Sequence, residues 1–278
     1  MSTQLVLLGT AGGPTPRGKR HAPSQVILVD GEAYVIDCGN GVAGQLFQAG
    51  VPFSALRAVF ITHHHSDHNA DLGNLFLLGW SGLSQRTTII GPPPLMSIMR
   101  CFFEMNQYDI SIRTSDEGRP SLEEFIHLEE TTREGVVYRD ERVQVTAALV
   151  DHPPLAHAFA YRIDTADRSI VISGDTKPCE NLIALANHAD ILVHEAMFEP
   201  AIGNLVLGNN GLSIRDHLMK SHTSVTDVGA IAERAGVPRL VLSHLTPSSD
   251  VVSHDIWESN ARHGYHGDVI VGEDLLVI

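Results

Sequence analysis

The stretch from Thr62 to His68 concentrates four imidazoles and one carboxylate directly after a short apolar run that predicts a buried strand. In an extended segment His63 and His65 project to the same side, because side chains alternate with a period of two. Asp67 and His68 are adjacent, so they can converge only if the chain turns there. The spacing therefore predicts two neighbouring metal ions, with His63 and His65 on the first and Asp67 and His68 on the second.

The types of ligand atom limit the choice of metal but do not identify one metal. Imidazole and carboxylate groups without thiolate suit zinc, iron, manganese or nickel. The alternative is a surface tract of histidines that binds metal adventitiously. This tract is internal, follows apolar residues and includes a regularly placed aspartate, which favours a built metal site. His64 and Ser66 are expected to face away from it.

Other short motifs follow predicted strands along almost the whole chain. They are Gly9-Thr10, Asp37-Cys38-Gly39-Asn40-Gly41, His152, Ser173-Gly174-Asp175-Thr176, His194-Glu195-Ala196, His222-Thr223-Ser224 and Ser243-His244. In this order, and together with the histidine motif, they resemble the metallo-β-lactamase superfamily. Their surroundings are similar to its ribonuclease Z and arylsulfatase branch.

This resemblance implies an α/β fold, the four-layer αβ/βα sandwich with two mixed β-sheets and helices on the outer faces. Strands that alternate with helices and end in a histidine or aspartate agree with it. At 278 residues without a linker-like stretch, the chain is expected to form a single domain, 1–278. We place an insertion at about 80–136 and a lid at about 198–217; an ordinary surface loop is the alternative to the lid.

The resemblance also assigns roles to individual residues. The first metal is expected to be held by His63, His65 and His152, the second by Asp67, His68 and His244, with Asp175 bridging the two and Asp37 supporting the site without ligating it. Two divalent ions are implied, Zn²⁺ first, with Mn²⁺ or Fe²⁺ as alternatives. Asp67, His222 and Glu195 are the expected catalytic residues.

The implied reaction is hydrolysis of an ester by a metal-bridging hydroxide. Glu195 would orient His222, which would protonate the leaving group. The structural alternative is that Glu195 pairs locally and His222 only begins the next helix. Apolar side chains are predicted to shape the substrate pocket, namely Phe102, Met197, Leu205 and Leu207; for Phe102 a role in capping the core is the alternative.

The charge and several departures from the family pattern bear on the substrate. The chain carries 33 acidic and 19 basic side chains, a net charge of −14, which disfavours a polyanionic partner. Met197 stands where the family motif has threonine. Leu245-Thr246-Pro247 follows His244 at the position where the members that process transfer RNA carry an Arg-Tyr-containing sequence. No basic, glycine- and proline-rich arm is visible. We therefore expect a small-molecule phosphodiester, sulfate ester, carboxylic ester or lactone, with a ribonuclease Z-like tRNA 3′ endonuclease as the alternative.

Other classes stay open. A di-iron redox protein normally brings a flavin module or sulfur-transfer partner, and neither pattern is visible. A non-catalytic metal-binding scaffold is disfavoured because each expected ligand position is filled. Three scattered cysteines, no leader-like start and no apolar run of membrane-spanning length predict a cytoplasmic protein without a membrane partner. Similar proteins form homodimers, but no residue pattern here identifies an interface.

Overall fold

The computed structural model describes residues 2–16, 18–203, 211–249 and 251–278. The strands of the described residues are β1 Thr3–Gly9, β2 Ser24–Val29, β3 Glu32–Ile36, β4 Leu56–Phe60, β5 Thr87–Gly91, β6 Ile126–Glu130, β7 Gly135–Arg139, β8 Gln144–Leu149, β9 Phe159–Asp164, β10 Ser169–Ile172, β11 Ile191–Met197, β12 Arg239–Thr246, β13 Asp268–Val271 and β14 Leu276–Val277. The α-helices are α1 Val42–Gln48, α2 Ser66–Asn69, α3 Leu72–Gly79, α4 Leu95–Asp116, α5 Glu180–Leu185, α6 Ile214–Ser221, α7 Val225–Ala235 and α8 His254–Ala261. Short 3-10 helices occupy Phe53–Ala55, Trp80–Gly82, Leu122–Phe125 and Glu199–Ala201.

The strands form two mixed sheets. The first has the order β14-β1-β2-β3-β4-β5-β6 and the second the order β13-β12-β11-β10-β9-β8-β7. In the first sheet the pairs from β3 to β6 are parallel. In the second sheet the pairs from β10 to β13 are parallel. Each sheet therefore has one parallel half, whose strands end at a common edge.

Alternating side chains on each strand separate the layers. On β1, Leu5 and Leu7 lie in the apolar core between the sheets, whereas Val6 and Leu8 pack in the core beneath α1, α3 and α4. On β12, Val241 belongs to the core between the sheets, and its neighbours belong to the core beneath α5, α7 and α8. The predicted αβ/βα sandwich is confirmed.

Two local predictions had different outcomes. Asp30-Gly31 is a turn signal that predicts a hairpin, and the hairpin is present between β2 and β3, with φ of 50° and 85° at these residues. The break at Gly91-Pro92-Pro93-Pro94 predicts a helix behind it, around Leu95 to Met105, but α4 continues to Asp116. Its second half is mostly solvent-exposed and carries ion pairs between residues four apart, such as Arg113 with Asp109, so no apolar stripe marks it in the sequence.

The segments predicted as insertion and lid have the following structure. Segment 80–136 contains α4 and also strands β5 and β6 of the first sheet. Of segment 198–217, residues 198–203 and 211–217 are described. Leu205 and Leu207 lie outside the described residues. Among the helices that are described, none has both the length and the apolar character needed to cross a bilayer.

Helices α7 and α8 approach closely at Gly229, and this contact can be tested. A Cβ atom there would lie 2.1 Å from the carbonyl oxygen of Ala261. Because backbone cannot retreat as a side-chain end can, Gly229→Ala should lower the free energy of unfolding by about 2 kcal/mol or more. Gly44→Ala is the matched control, since Gly44 lies in α1 with nothing within 4 Å of its Cβ position, and it should raise stability by about 0.5–1 kcal/mol. Urea unfolding measures both, and equal effects would contradict the packing.

Candidate metal centre and active site

The candidate side chains meet where strands of both sheets end. The histidine motif follows β4 of the first sheet, and His152 and Asp175 follow β8 and β10 of the second. His244 lies near the end of β12, which runs parallel to β11 and places it at the same edge. Because parallel strands bring their carboxyl ends together, residues far apart in sequence share one site.

The motif changes conformation in its middle. His65 is extended, with φ −75° and ψ 149°, and it precedes α2 directly. Extended geometry at this point projects His63 and His65 together. The helical turn of α2 then brings Asp67 and His68 toward a second position. The chain therefore makes the turn that Asp67 and His68 need in order to converge.

The first cluster contains His63, His65, His152 and Asp175. His65 Nδ1 lies 3.1 Å from His63 Nε2 and 3.1 Å from His152 Nε2. Asp175 Oδ2 lies 3.8 Å and 4.0 Å from the same two Nε2 atoms. Nitrogen ligands around tetrahedral Zn²⁺, each at about 2.0–2.1 Å from the ion, are separated by roughly 3.3 Å. The cluster therefore fits a single ion.

The second cluster contains Asp67, His68, Asp175 and His244. His244 Nε2 lies 3.4 Å from Asp67 Oδ2 and 3.2 Å from Asp175 Oδ2, and His68 Nε2 lies 3.3 Å from Asp175 Oδ1. His68 Nε2 and Asp175 Oδ1 are buried without a hydrogen-bond partner among the described residues. Buried polar atoms of this kind are costly unless a ligand satisfies them. Asp175 belongs to both clusters, as a bridging carboxylate would.

Hydrogen bonds behind the clusters set the ring tautomers. His68 Nδ1 donates to Asp37 Oδ2 at 2.7 Å, and His152 Nδ1 donates to the carbonyl oxygen of Ser221 at 2.8 Å. When Nδ1 carries the proton of a neutral ring, the Nε2 lone pair faces the cluster, as metal binding requires. Asp37 thus contacts a ring of the cluster from behind.

The carboxylates of the site are held in their charged form. Burial alone would raise the pKa of Asp67, but His68 and His244 outweigh it and lower the pKa to about 2. Burial is opposed in the same way at Asp175, where His244 and His68 hold the pKa well below its usual range. The backbone N–H of Gly13 also donates to Asp67 Oδ2 at 3.1 Å. Both carboxylates are therefore anionic at neutral pH and suited to cations.

Glu195 and His222 form a buried pair beside the clusters. His222 Nδ1 lies 2.9 Å from Glu195 Oε2 and 3.1 Å from Oε1, and both side chains are at most 8% exposed. The N–H of Thr176 donates to Glu195 Oε1 at 2.6 Å, which holds the carboxylate in place. Burial lowers the pKa of His222, but the charge of Glu195 and its hydrogen bond outweigh burial and raise the pKa to about 9. His222 is therefore a protonated imidazolium at neutral pH.

One cavity connects these groups to solvent. It has a volume of about 280 Å³, and Asp67, Asp175, His222 and His244 line it opposite the loop at 12–15. The loop at 12–15, which contains Gly12 and Gly13, is therefore part of the cavity wall. A substrate in this space would contact both clusters and the buried pair.

Comparisons with known proteins identify the family. A family model described as "Anti-Pycsar protein Apyc1" matches residues 3–205. A ribonuclease Z of Mycobacterium sp. (strain KMS) is 34% identical over 275 residues, which cover 98% of this chain and 94% of the relative. The chain belongs to the family that this model describes, and it belongs to the ribonuclease Z branch of the metallo-β-lactamase superfamily.

Solved structures of this superfamily share the fold. The metallo-β-lactamase fold protein YhfI from Bacillus subtilis has a TM-score of 0.73 and 21% identity, over 99% of this chain and 98% of that one. The short form of human tRNase Z has a TM-score of 0.72 and 23% identity, over 99% and 98%. With this membership, the resemblance read from the motifs is confirmed.

The structure assembles the residues that the sequence singled out. The seven predicted ligands fall into the two predicted groups, with Asp175 in both. Glu195 lies against His222, and Asp37 lies behind His68. The alternative in which Glu195 pairs only locally does not describe this geometry, because 27 positions separate it from His222.

The two predicted pocket residues that the structure describes, Phe102 and Met197, lie outside the cavity lining. Met197 is 1% exposed and packs with Ile202 and Leu218 beneath the cavity wall. Phe102 packs its ring against the backbone of Gly73 in α3 and does not appear among the described residues that line the cavity. Met197 is buried because it is part of β11, in which all seven residues are buried, rather than of a loop.

Residues of α6 line the cavity and were missed. They are Ile214, His217 and Leu218. The sequence signal that could have found His217 is helical spacing. His217 lies one helical turn before Ser221, and Ser221 directly precedes His222, the predicted proton donor. The lid predicted at about 198–217, or the surface loop that is its alternative, includes Ile214 and His217 but assigns neither side chain to the cavity.

The contact between Asp37 and His68 predicts a metal-binding defect. Asp37→Asn should lower metal affinity by about 10–100-fold, because an amide has a single acceptor oxygen and cannot accept from both Thr62 and His68 as the two carboxylate oxygens do. Asp190→Asn is the matched control, since Asp190 accepts from the N–H and hydroxyl of Ser169 as Asp37 does from Thr62, but far from the clusters. Metal content and competition with a chelator measure the effect. Equal affinities in the two variants would rule out this role for Asp37.

Proposed function

We propose that this chain is a metal-dependent phosphodiesterase in which His222 donates the proton to the leaving oxygen. The observation that carries this is the shared cavity: a buried carboxylate–imidazole pair opens onto the same space as two clusters of anionic and imidazole ligands. Metal clusters alone would also suit storage or redox roles. A preorganised acid beside them is needed only when a leaving group must be protonated.

The side chains present fit two metal ions. His63, His65 and His152 would hold the first, Asp67, His68 and His244 the second, and Asp175 would contact both. When bound, two divalent ions, with zinc the first candidate, supply a water of lowered pKa and positive charge beside the phosphoryl oxygens. The absence of thiolates from these clusters leaves Mn²⁺ and Fe²⁺ as alternatives.

The chain itself supplies the proton and its direction. Glu195 binds the Nδ1 side of His222, so the remaining ring proton is on Nε2. Glu195 is held in turn by the N–H of Thr176, and the imidazolium is kept charged by its carboxylate. A departing alkoxide within hydrogen-bond reach of Nε2 would take this proton as its bond to phosphorus breaks. Glu195 would then face a neutral imidazole that solvent can reprotonate.

The relatives favour RNA as the substrate. The first candidate is therefore a tRNA 3′ endonuclease, supported by the name ribonuclease Z of a relative with 34% identity over 98% of this chain. Hydrolysis of an RNA phosphodiester breaks a bond between phosphorus and a ribose oxygen, and the departing ribose alkoxide needs a proton donor such as His222.

The charge of the chain favours a second candidate, a small phosphodiester. The net charge is −14, and no lysine or arginine occurs among the described residues that line the cavity. A polyanion gains much of its affinity from such side chains. A substrate with a single phosphodiester group needs only the clusters and the imidazoles.

Hydrolysis assays separate these candidates. Purified protein should carry about two metal ions per chain and cleave phosphodiesters, with activity lost on chelation and restored by zinc or manganese. The panel is an RNA with a 3′ extension, a dinucleoside monophosphate, bis(p-nitrophenyl) phosphate, and p-nitrophenyl sulfate and acetate. Preferred RNA cleavage supports the first candidate and preferred dinucleoside cleavage the second. Activity confined to the sulfate or the acetate would refute a phosphodiesterase, and iron with visible absorbance would favour redox chemistry.

The role of His222 predicts a dependence on the leaving group. His222→Gln should slow hydrolysis of a phosphodiester with a ribose leaving group by about 10²–10⁴-fold. It should slow hydrolysis of bis(p-nitrophenyl) phosphate by much less, because a nitrophenolate departs without protonation. Metal content should not change. The control is His127→Gln, which removes an exposed imidazole paired with Glu129 at 3.0 Å. A uniform loss on both substrates would mean that His222 acts on the nucleophile or the fold.

A further inference from the structure

A second concave surface adjoins the cavity. It is a groove of about 350 Å³. Its walls are formed by Pro153, Pro154, Asp216, His217, Lys220 and Ser221. His217 also lines the cavity of the metal clusters. His217, which is half-buried, therefore lies in the wall of both the groove and the cavity.

His217 stands close to the groups expected to act on the substrate. Its ring centroid lies 6.0 Å from that of His222 and 6.1 Å from those of His65 and His152. His217 belongs to neither cluster. A ring so near the reaction site, yet outside the clusters, is available to the substrate.

The two walls of the groove are fastened to each other. Ser221 Oγ donates to the carbonyl oxygen of Pro153 at 2.6 Å, and His152 Nδ1 donates to the carbonyl oxygen of Ser221. His217 Nδ1 lies 3.4 Å from Ser221 Oγ. Because the hydroxyl hydrogen is directed at Pro153, the ring nitrogen is the donor in this contact, which leaves Nε2 as an acceptor. The groove is thus preformed, as binding sites for small molecules usually are.

The position of His222, the proton donor, indicates which part of a substrate would lie near the groove. His222 directly follows α6, and a donor must lie within hydrogen-bond reach of the leaving oxygen. The group attached to that oxygen therefore lies on the side of α6. A group on this side of the cavity would lie beside His217, which also lines the groove.

The groove has the chemistry of a base-binding surface. Two proline rings offer apolar C–H surface and the imidazole of His217 offers a flat aromatic face, so a planar base can pack against them. Asp216 and Lys220 are exposed at its rim and offer an acceptor and a donor to the edge of a base. We propose that this groove is the leaving-group subsite and binds the nucleoside that departs from the phosphodiester. This inference rests on the proposed phosphodiesterase function.

Nucleoside binding tests the subsite without any turnover. Adenosine and uridine are titrated onto the full-length metal-loaded protein, and saturation-transfer NMR reports contact with the base protons. His217→Ala should weaken binding at least tenfold, whereas His217→Phe, which keeps a flat ring, should retain it to within about threefold. Met219→Ala is the matched control, because Met219 is exposed on another face of α6. Lys220→Ala changes only a rim side chain and should weaken binding less than His217→Ala.

The outcomes distinguish this inference from the proposed function. Nucleoside binding that depends on His217, in a protein without phosphodiesterase activity, would refute both the proposed function and the leaving-group role of the groove, and would leave only a nucleoside-binding surface. Phosphodiesterase activity without nucleoside binding, or binding that His217→Ala leaves unchanged, would refute the subsite and leave the proposed function standing. If both hold, the free nucleoside should inhibit phosphodiester hydrolysis competitively, and His217→Ala should weaken that inhibition by the same factor as binding.

Discussion

Three hydrogen-bond donors converge on the buried carboxylate of Asp37, and the rest of the candidate centre depends on this interaction. The N–H of Thr62 donates at 2.8 Å, its hydroxyl at 2.9 Å, and His68 Nδ1 at 2.7 Å. The carboxylate is 2% exposed, so losing any donor would leave a desolvated charge with fewer partners. It therefore fixes the end of β3, the exit from β4 and the first turn of α2 relative to one another. The conformation needed at Asp37 is strained, with φ of 61°, and such strain persists only where surrounding contacts enforce it.

The centre also depends on the packing of the two sheets. The first sheet contributes the histidine motif, and the second contributes His152, Asp175 and His244. Neither sheet alone holds a complete cluster. The apolar core between them, which includes Phe60, Phe159 and Tyr161 with none of these side chains exposed, is thus a condition for bringing the ligands together. His244, whose φ is 45°, is a second strained residue at the site.

Family membership and surface chemistry answer different questions about this protein. Membership in the ribonuclease Z branch accounts for the ligand clusters and the fold. The substrate depends on the cavity walls, and these include residues of α6 that no motif marks. A fold can retain its reactive centre while its walls change, since the two are built from different elements. The acidity of the chain and the absence of basic side chains among the described residues of the cavity wall are properties of those walls.

The sequence by itself determined the elements and residues whose signals are local. His63 and His65 project to the same side because side chains alternate with a two-residue period in an extended chain. The hairpin at Asp30-Gly31 follows from turn chemistry, and the layered fold follows from strands that alternate with helices. Through the resemblance, the order of the motifs also indicated the second group of ligands and the pair of Glu195 and His222. All these side chains meet in the structure.

Only the tertiary structure decided what depends on contacts between distant segments. The length of α4 could not be read from apolar periodicity because its outer half faces solvent. Met197 was expected in the pocket but is buried in β11, and His217 was not considered but lines both the cavity and the groove. The physical reason is common to these cases. A residue's type and spacing determine what it can do, whereas the packing of strands and helices from other parts of the chain determines which side of it remains open to a substrate.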